Sequence, residues 1–275
     1  MLYINADTPK PGKALIGEAI NAPEAWKDSR QSEFIVATYN IRRSKGNDGV
    51  RDISRSAGVL KKADADIVGL NELSGTLFYG RVDQAEQMAR LLETGWLFAA
   101  TDDRWYQHYF GNGLLSRFPV TQWQVHPLYA GVKKIRSLRN MIVATIPVNG
   151  IDVNILVTHL DRGAIREQQL MQVLNRFQQL PEPAVILGDF NTHADSPQLR
   201  ALFANPVYSD AVTVALGEQE NRIDWIISKG LQIKSGGMQE RGISDHPSYW
   251  IRFALPETSE TETVENETKE NEVVN

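Results

Sequence analysis

The sequence predicts an α/β fold of two stacked mixed β-sheets with helices on the outside. Three observations carry that expectation. Short apolar strand-like runs clearly outnumber helical ones, which suits two packed sheets better than one doubly wound sheet. Two segments share one pattern, a strand, a helix and a strand, whose polar strand ends lie 32 and 30 residues apart, from Asn40 to Glu72 and from His159 to Asp189. Each of those four strands also turns abruptly polar where it ends. Ligands in open α/β sheets gather beyond the carboxyl ends of strands. Four such ends from two related units should therefore meet in one cleft, provided the sheets face each other.

Taken in order, residues 1–33 read as an irregular lead-in, broken by Pro9, Pro11, Gly12, Gly17 and Pro23. "FIVATYN" (34–40) is a strand, followed by a helix near 50–63 and the strand "DIVGLNE" (66–72). "NGLLSRFPV" (112–120) and "RNMIVATIPV" (139–148) are the next strands. Asn149-Gly150 joins the latter to "VNILVTHLD" (153–161), because Asn-Gly between two β-rich runs is a strong hairpin signal. Ile165, Leu170, Val173, Leu174 and Phe177 have helical spacing across 163–180. "AVILGDFN" (184–191), "RIDWIIS" (222–228) and "SYWIRFAL" (248–255) complete the strands, so the domain is expected over 34–255. The remainder, 256–275, is an acidic stretch with no aromatic residue and is expected to be a disordered tail.

Composition narrows the function classes. The 275 residues suit one large domain or two small ones. Seven Glu and one Lys give 256–275 a charge of −6, so the chain's −5 leaves about +1 for everything before it. A nearly neutral domain has no global basic field for nucleic acid. With no cysteine, disulfides, thiolate metal sites and a Cys nucleophile are excluded. The first 26 residues lack a basic stretch followed by an apolar one, and no run approaches 18 apolar residues, so a cytoplasmic monomer without a membrane span is the expectation. A serine hydrolase fits poorly, since no G-x-S-x-G occurs and Ser116 has the wrong flanks.

Asn40, Glu72, Asn112, His159, Asp189, Asn191, Asp224, Asp245 and His246 all break into apolar strands. Singly, an Asn at a strand end is a turn residue and an Asp after Gly a turn or cap. Together they are harder to dismiss, because Glu72 and Asp224 abut apolar runs and a buried carboxylate needs a compensating cation or donor. Carboxylates without cysteine suit a hard, oxygen-preferring ion, Mg²⁺ or Mn²⁺ rather than zinc. Two imidazoles beside them could donate to a phosphoryl oxygen. His108, His126 and His193 stand outside the set, and His193 is expected to be solvated.

"TYNIR" (38–42), "LNE" (70–72), "GNGLLSR" (111–117), "THLD" (158–161), "GDFNT" (188–192), "RIDWI" (222–226) and "SDHP" (244–247) occur in the order of the endonuclease/exonuclease/phosphatase superfamily, which the chain resembles from about residue 34 to 254. The resemblance implies a four-layered α/β sandwich and a metal-dependent phosphoester hydrolase. It implies that Glu72 is the principal metal ligand, with Asn40 contributing directly or through water and Asp245 as a further ligand-side carboxylate. Asp189 would orient or deprotonate the attacking water, with Asn191 beside it. His159 and His246 would contact the scissile phosphate, Asp224 would hold His246, and Asn112 would lie near His159. Asp161 is as well read as a turn residue. Arg139 could reach phosphate, though a solvated Arg is the plainer reading.

The substrate is less legible. Arg42 stands where abasic-site enzymes of that superfamily carry a second Asn, which favours its deoxyribonuclease-like members. There, Arg42, Arg43 and Lys45 could contact phosphates. The loop "DDRWYQHYFGN" (102–112) offers Trp105, Tyr106, Tyr109 and Phe110 for stacking, or for packing on its own domain. A phosphodiesterase or phosphomonoesterase is the first expectation, a deoxyribonuclease the second, and a non-catalytic phosphate-binding module the last.

Overall fold

The computed structural model describes residues 14–17, 32–75, 83–102, 110–130, 135–239 and 241–256. Residues 257–275 of the acidic tail and Trp105, Tyr106 and Tyr109 lie outside them. The first strand–helix–strand unit is β2 (Glu33–Asn40), α1 (Ile53–Ala63) and β3 (Ile67–Ser74), with β2 and β3 parallel. Asp52 starts α1 by accepting a hydrogen bond from the Ser54 N–H at 2.8 Å. The second unit is β8 (Ile151–His159), α3 (Arg166–Gln179) and β9 (Ala184–Asp189), again with parallel strands. Both helices match their expected positions. α1 buries Ala57, Val59 and Leu60, and α3 buries Leu170, Val173, Leu174 and Phe177.

Each parallel pair is the centre of a sheet. Around β2 and β3 the order is β1-β4-β5-β3-β2-β13-β12, which adds β1 (Ala14–Gly17), β4 (Gly95–Asp102), β5 (Phe110–Ser116), β12 (Gln232–Gln239) and β13 (Ser248–Ala254). Around β8 and β9 the order is β10-β11-β9-β8-β7-β6, with β6 (Gln122–Ala130), β7 (Ile135–Val148), β10 (Ser209–Asp210) and β11 (Asp224–Lys229). Within the stretch read as irregular, β1 pairs with β4 at the sheet edge. β7 and β8 are joined as expected by Asn149 and Gly150, both at positive φ (49° and 78°), the geometry of a tight hairpin turn.

The two sheets do face each other. Val36, Ile67, Leu97 and Leu114 of one meet Ile142, Ile155, Val157, Leu187 and Ile226 of the other in one buried cluster. Outside the first sheet, α1 and α2 (Gln84–Leu92) pack through Leu60, Met88 and Ala89 against Val68 and Leu70. Outside the second, α3 and α4 (Pro197–Phe203) pack through Val173, Phe177 and Leu199 against Leu156 and Ile186. A short α5 (Ala211–Leu216) puts Ala211 and Val212 into the cluster between the sheets. The result is a four-layered α/β sandwich. Among the described residues no helix is long and apolar enough to cross a membrane.

Candidate active site

Register brings the polar strand ends together before any side-chain chemistry is considered. Asn40 is level with Asn71 across β2 and β3, and His159 is level with Asp189 across β8 and β9. On the other side of β9, Asp224 is the antiparallel partner of Asp189. β13 pairs with β2 through Ser248 and Tyr39, which delivers the turn holding Asp245 and His246 beside Asn40. In β3 the pairing with β5 slips between Leu70 and Leu73, and Glu72 sits in that bulge at φ 57°. Bulges re-aim side chains, and this one turns Glu72 towards Asn40.

Asp189 is the hub. Its Oδ2 accepts from Asn40 Nδ2 at 3.1 Å and faces His159 Nε2 at 3.3 Å and His246 Nε2 at 3.7 Å. Its Oδ1 accepts from the Asn191 N–H at 2.9 Å. Glu72 Oε1 accepts from the same Asn40 amide at 3.3 Å. Ser244 Oγ donates to the Asn40 carbonyl at 2.7 Å and lies 3.3 Å from Asp245 Oδ1. Glu72 thus bonds Asn40 directly, and Asp245 reaches it through Ser244. The remaining Asp245 oxygen pairs with Arg42 Nε at 3.4 Å.

The two imidazoles differ in their partners. His246 Nδ1 lies 2.8 Å from Asp224 Oδ2. Burial opposes its charge, but the Asp224 hydrogen bond and the charges of Asp224, Asp189 and Asp245 outweigh burial and raise its pKa to about 9. His159, fully buried, is pushed well below its ordinary value by burial and by the charges of Arg139, His246 and Arg162. Burial and the neighbouring Asp224 charge lift Asp189 to about 6.

The oxygen donors of Glu72, Asn40 and Asp245 suit a hard cation. Among the described residues a second grouping, Asp189, Asp224 and His246, brings ligating atoms within 4.8 Å of one another. It suits a cation less well, because an imidazolium has no lone pair to offer and Asp224 spends an oxygen on it.

The other expected residues fall into place unevenly. Asn191, at φ 49°, donates its amide to Leu160 O and accepts from Arg162 Nε at 3.3 Å. Asn112 lies in a buried amide ladder, accepting from Asn71 Nδ2 and donating to Asn140 Oδ1, both at 2.9 Å. Arg139 is not the solvated residue its position suggested, since its side chain is only 15% exposed and Nη1 lies 3.2 Å from His159 Nδ1. Asp161 accepts from the Arg162 N–H at 3.0 Å and lies 3.8 Å from Arg139 Nη2. His193 is exposed. Arg42 and Arg43 separate, Arg42 going to Asp245 and Arg43 lying over the Phe110 ring, 5.3 Å from its centroid. Sequence reasoning passed over Asn71, Asn140, Arg162 and Arg166, the last of which donates to the Asn191 carbonyl at 2.8 Å. For Asn71 the signal was present, a polar residue inside an apolar strand just before Glu72.

A family model described as the endonuclease/exonuclease/phosphatase family matches residues 37–246. No curated protein matches the sequence. Among solved structures, an endonuclease/exonuclease/phosphatase from Beutenbergia cavernae is 24% identical with a TM-score of 0.66, covering 82% of this chain and 72% of that one. A mannosyl-6-phosphatase from Bacteroides thetaiotaomicron is 18% identical with a TM-score of 0.65, covering 81% and 100%. The human nocturnin catalytic domain with bound sulfate is 17% identical with a TM-score of 0.64, covering 82% and 94%.

Proposed function

The chain belongs to the endonuclease/exonuclease/phosphatase family, and from that premise we propose that it hydrolyses a phosphodiester with the help of Mg²⁺ or Mn²⁺. The observation that carries this reading is the meeting of both imidazoles on one carboxylate oxygen, Asp189 Oδ2, within one hydrogen bond of Asn40 and two of Glu72.

Asp189 is the group that orients the attacking water and takes its proton. With a pKa of about 6 it is ionised at neutral pH and more basic than a solvent-exposed carboxylate. His246, held as imidazolium by Asp224, donates to a phosphoryl oxygen as negative charge develops there. His159, with Nε2 3.3 Å from the same Asp189 oxygen, supplies a second, neutral donor beside the base. Glu72, Asn40 and Asp245 would hold the cation, which when bound neutralises charge on the phosphate. Arg162, bonded to Asn191, stands ready for the same phosphate from outside.

A nuclease is the second reading, favoured by one observation. A hollow of about 430 Å³ is lined by Arg43, Ser44, Arg51 and Gln84, and the guanidinium groups of Arg43 and Arg51 have no ion-pair partner among the described residues. Two such cations beside a phosphate site suit the neighbouring phosphates of a strand. The mannosyl-6-phosphatase neighbour keeps a sugar phosphate on the list of substrates to try.

Purified protein should lose phosphodiester turnover in excess chelator and regain it when Mg²⁺ or Mn²⁺ is restored. Turnover that ignores the chelator would sink the reading. Plasmid DNA, an aryl phosphodiester, a phospholipid, an inositol phosphate and a sugar phosphate assayed side by side would separate the two substrate classes.

A further inference from the structure

We propose that Arg139 is a positioning residue that holds His159 as a neutral imidazole with its single proton on Nε2. What this means for catalysis rests on the reading above, whereas the tautomer follows from bond directions. An arginine side chain carries only donors. Arg139 Nη1 lies 3.2 Å from His159 Nδ1, so Nδ1 must present its lone pair. A neutral imidazole then has its proton on Nε2, the nitrogen 3.3 Å from Asp189 Oδ2. Protonating Nδ1 would break the arginine bond and set two cations against each other.

Arg139 is itself held in place. Its guanidinium lies 5.6 Å from the centroid of Phe110, whose other neighbours include Arg43 and the His159 ring. Its Nη2 is 3.8 Å from Asp161 Oδ1. The charged groups facing His159 are Arg139, Arg162 and His246 on the positive side and Asp189 on the negative. Burial and those three cations act together against its charge.

The two histidines are therefore partnered in opposite senses. His246 has a carboxylate behind Nδ1, and His159 has a guanidinium there. The difference matters for Asp189, which both rings face. Two imidazoliums on one carboxylate would stabilise its anion and strip it of basicity. With His159 neutral, Asp189 receives a directed hydrogen bond without a second full positive charge.

The test is nitrogen NMR of the full chain with ¹⁵N-labelled histidine, without added cation or substrate, using His159→Gln to assign the ring. We expect His159 to show the Nε2–H tautomer with Nδ1 unprotonated at about pH 7.5, and to remain neutral at about pH 5.5, below the ordinary histidine pKa. Arg139→Met should let it become imidazolium at the lower pH. Arg139→Lys, which keeps a donor, should preserve the neutral ring. A wild-type ring that is protonated at the lower pH, or that carries its proton on Nδ1 at the higher, overturns the proposal. So does an Arg139→Met spectrum identical to wild type. If Arg139→Met fails to fold, the wild-type and Arg139→Lys spectra decide. None of these spectra needs turnover, so a failure of the proposed hydrolysis would leave them standing and be seen separately.

Discussion

Asp189 is fully buried, yet two hydrogen-bond donors and two imidazoles surround its carboxylate. That environment keeps the group ionised at neutral pH while burial holds its proton affinity up. Replacing it with the isosteric amide removes the base and keeps the volume, so Asp189→Asn should lower kcat by at least about 10²-fold. His246→Ala should do the same by removing a charged donor. Unchanged thermal midpoints in both variants would assign the loss to chemistry. Unchanged turnover would mean the reaction lies elsewhere. Gly188, the residue before Asp189, shows how tightly the backbone is constrained here. At φ 137°, a Cβ would stand 1.9 Å from the Thr158 carbonyl, so only glycine lets β9 run this close to β8.

At the scale of elements, the clearest consequence is a helix cap. Asp83 begins α2 by accepting from the Glu86 N–H at 2.8 Å, and it is almost fully buried. Burial raises its pKa from 3.8 to about 6. A carboxyl whose folded pKa is raised contributes its full stability below the unfolded value and loses it as pH rises through the folded one. Asp83→Asn keeps an acceptor for the cap and cannot ionise. It should match wild type near pH 4 and exceed it above about pH 6, by roughly 1–3 kcal/mol. Urea midpoints at the two pH values would show this. A variant less stable than wild type at the higher pH would mean the charged cap is worth more than its burial costs.

At the scale of the whole molecule, the sheets are joined at the site end by amides as well as by apolar packing. Asn71 of β3 donates to the Thr158 carbonyl of β8 at 3.0 Å and accepts from the Asp189 N–H of β9 at 2.9 Å. Asn140 of β7 donates back to the Ala99 and Ala100 carbonyls of β4. Asn71→Ala would leave the Asp189 N–H, the Thr158 carbonyl and Asn112 Oδ1 without these partners inside the protein. It should cost about 2–4 kcal/mol of unfolding free energy, the sum of a few unmade buried hydrogen bonds. It should also lower turnover without touching substrate, because Asp189 would lose its anchor. A loss of activity with no loss of stability would argue for a direct role instead.

Much was determined by the sequence alone, because it depends on local order. The two strand–helix–strand units, the Asn149-Gly150 hairpin, the two-sheet architecture and the polar strand ends all follow from periodicity and turn chemistry. β1, β4, β6, β10, β12, α2, α4 and α5 were missed. Of these, β12 (burial mixed, two glycines) and the short α4 and α5 lack a clear apolar period. The tertiary structure alone decided which partner each site residue receives. Asp224 comes beside Asp189 by antiparallel register, Glu72 turns on a bulge, and Arg139 reaches His159 from a strand 20 residues earlier. Side-chain direction and the protonation it imposes depend on neighbours brought from distant parts of the chain. A one-residue change of register would alter them without altering any local pattern.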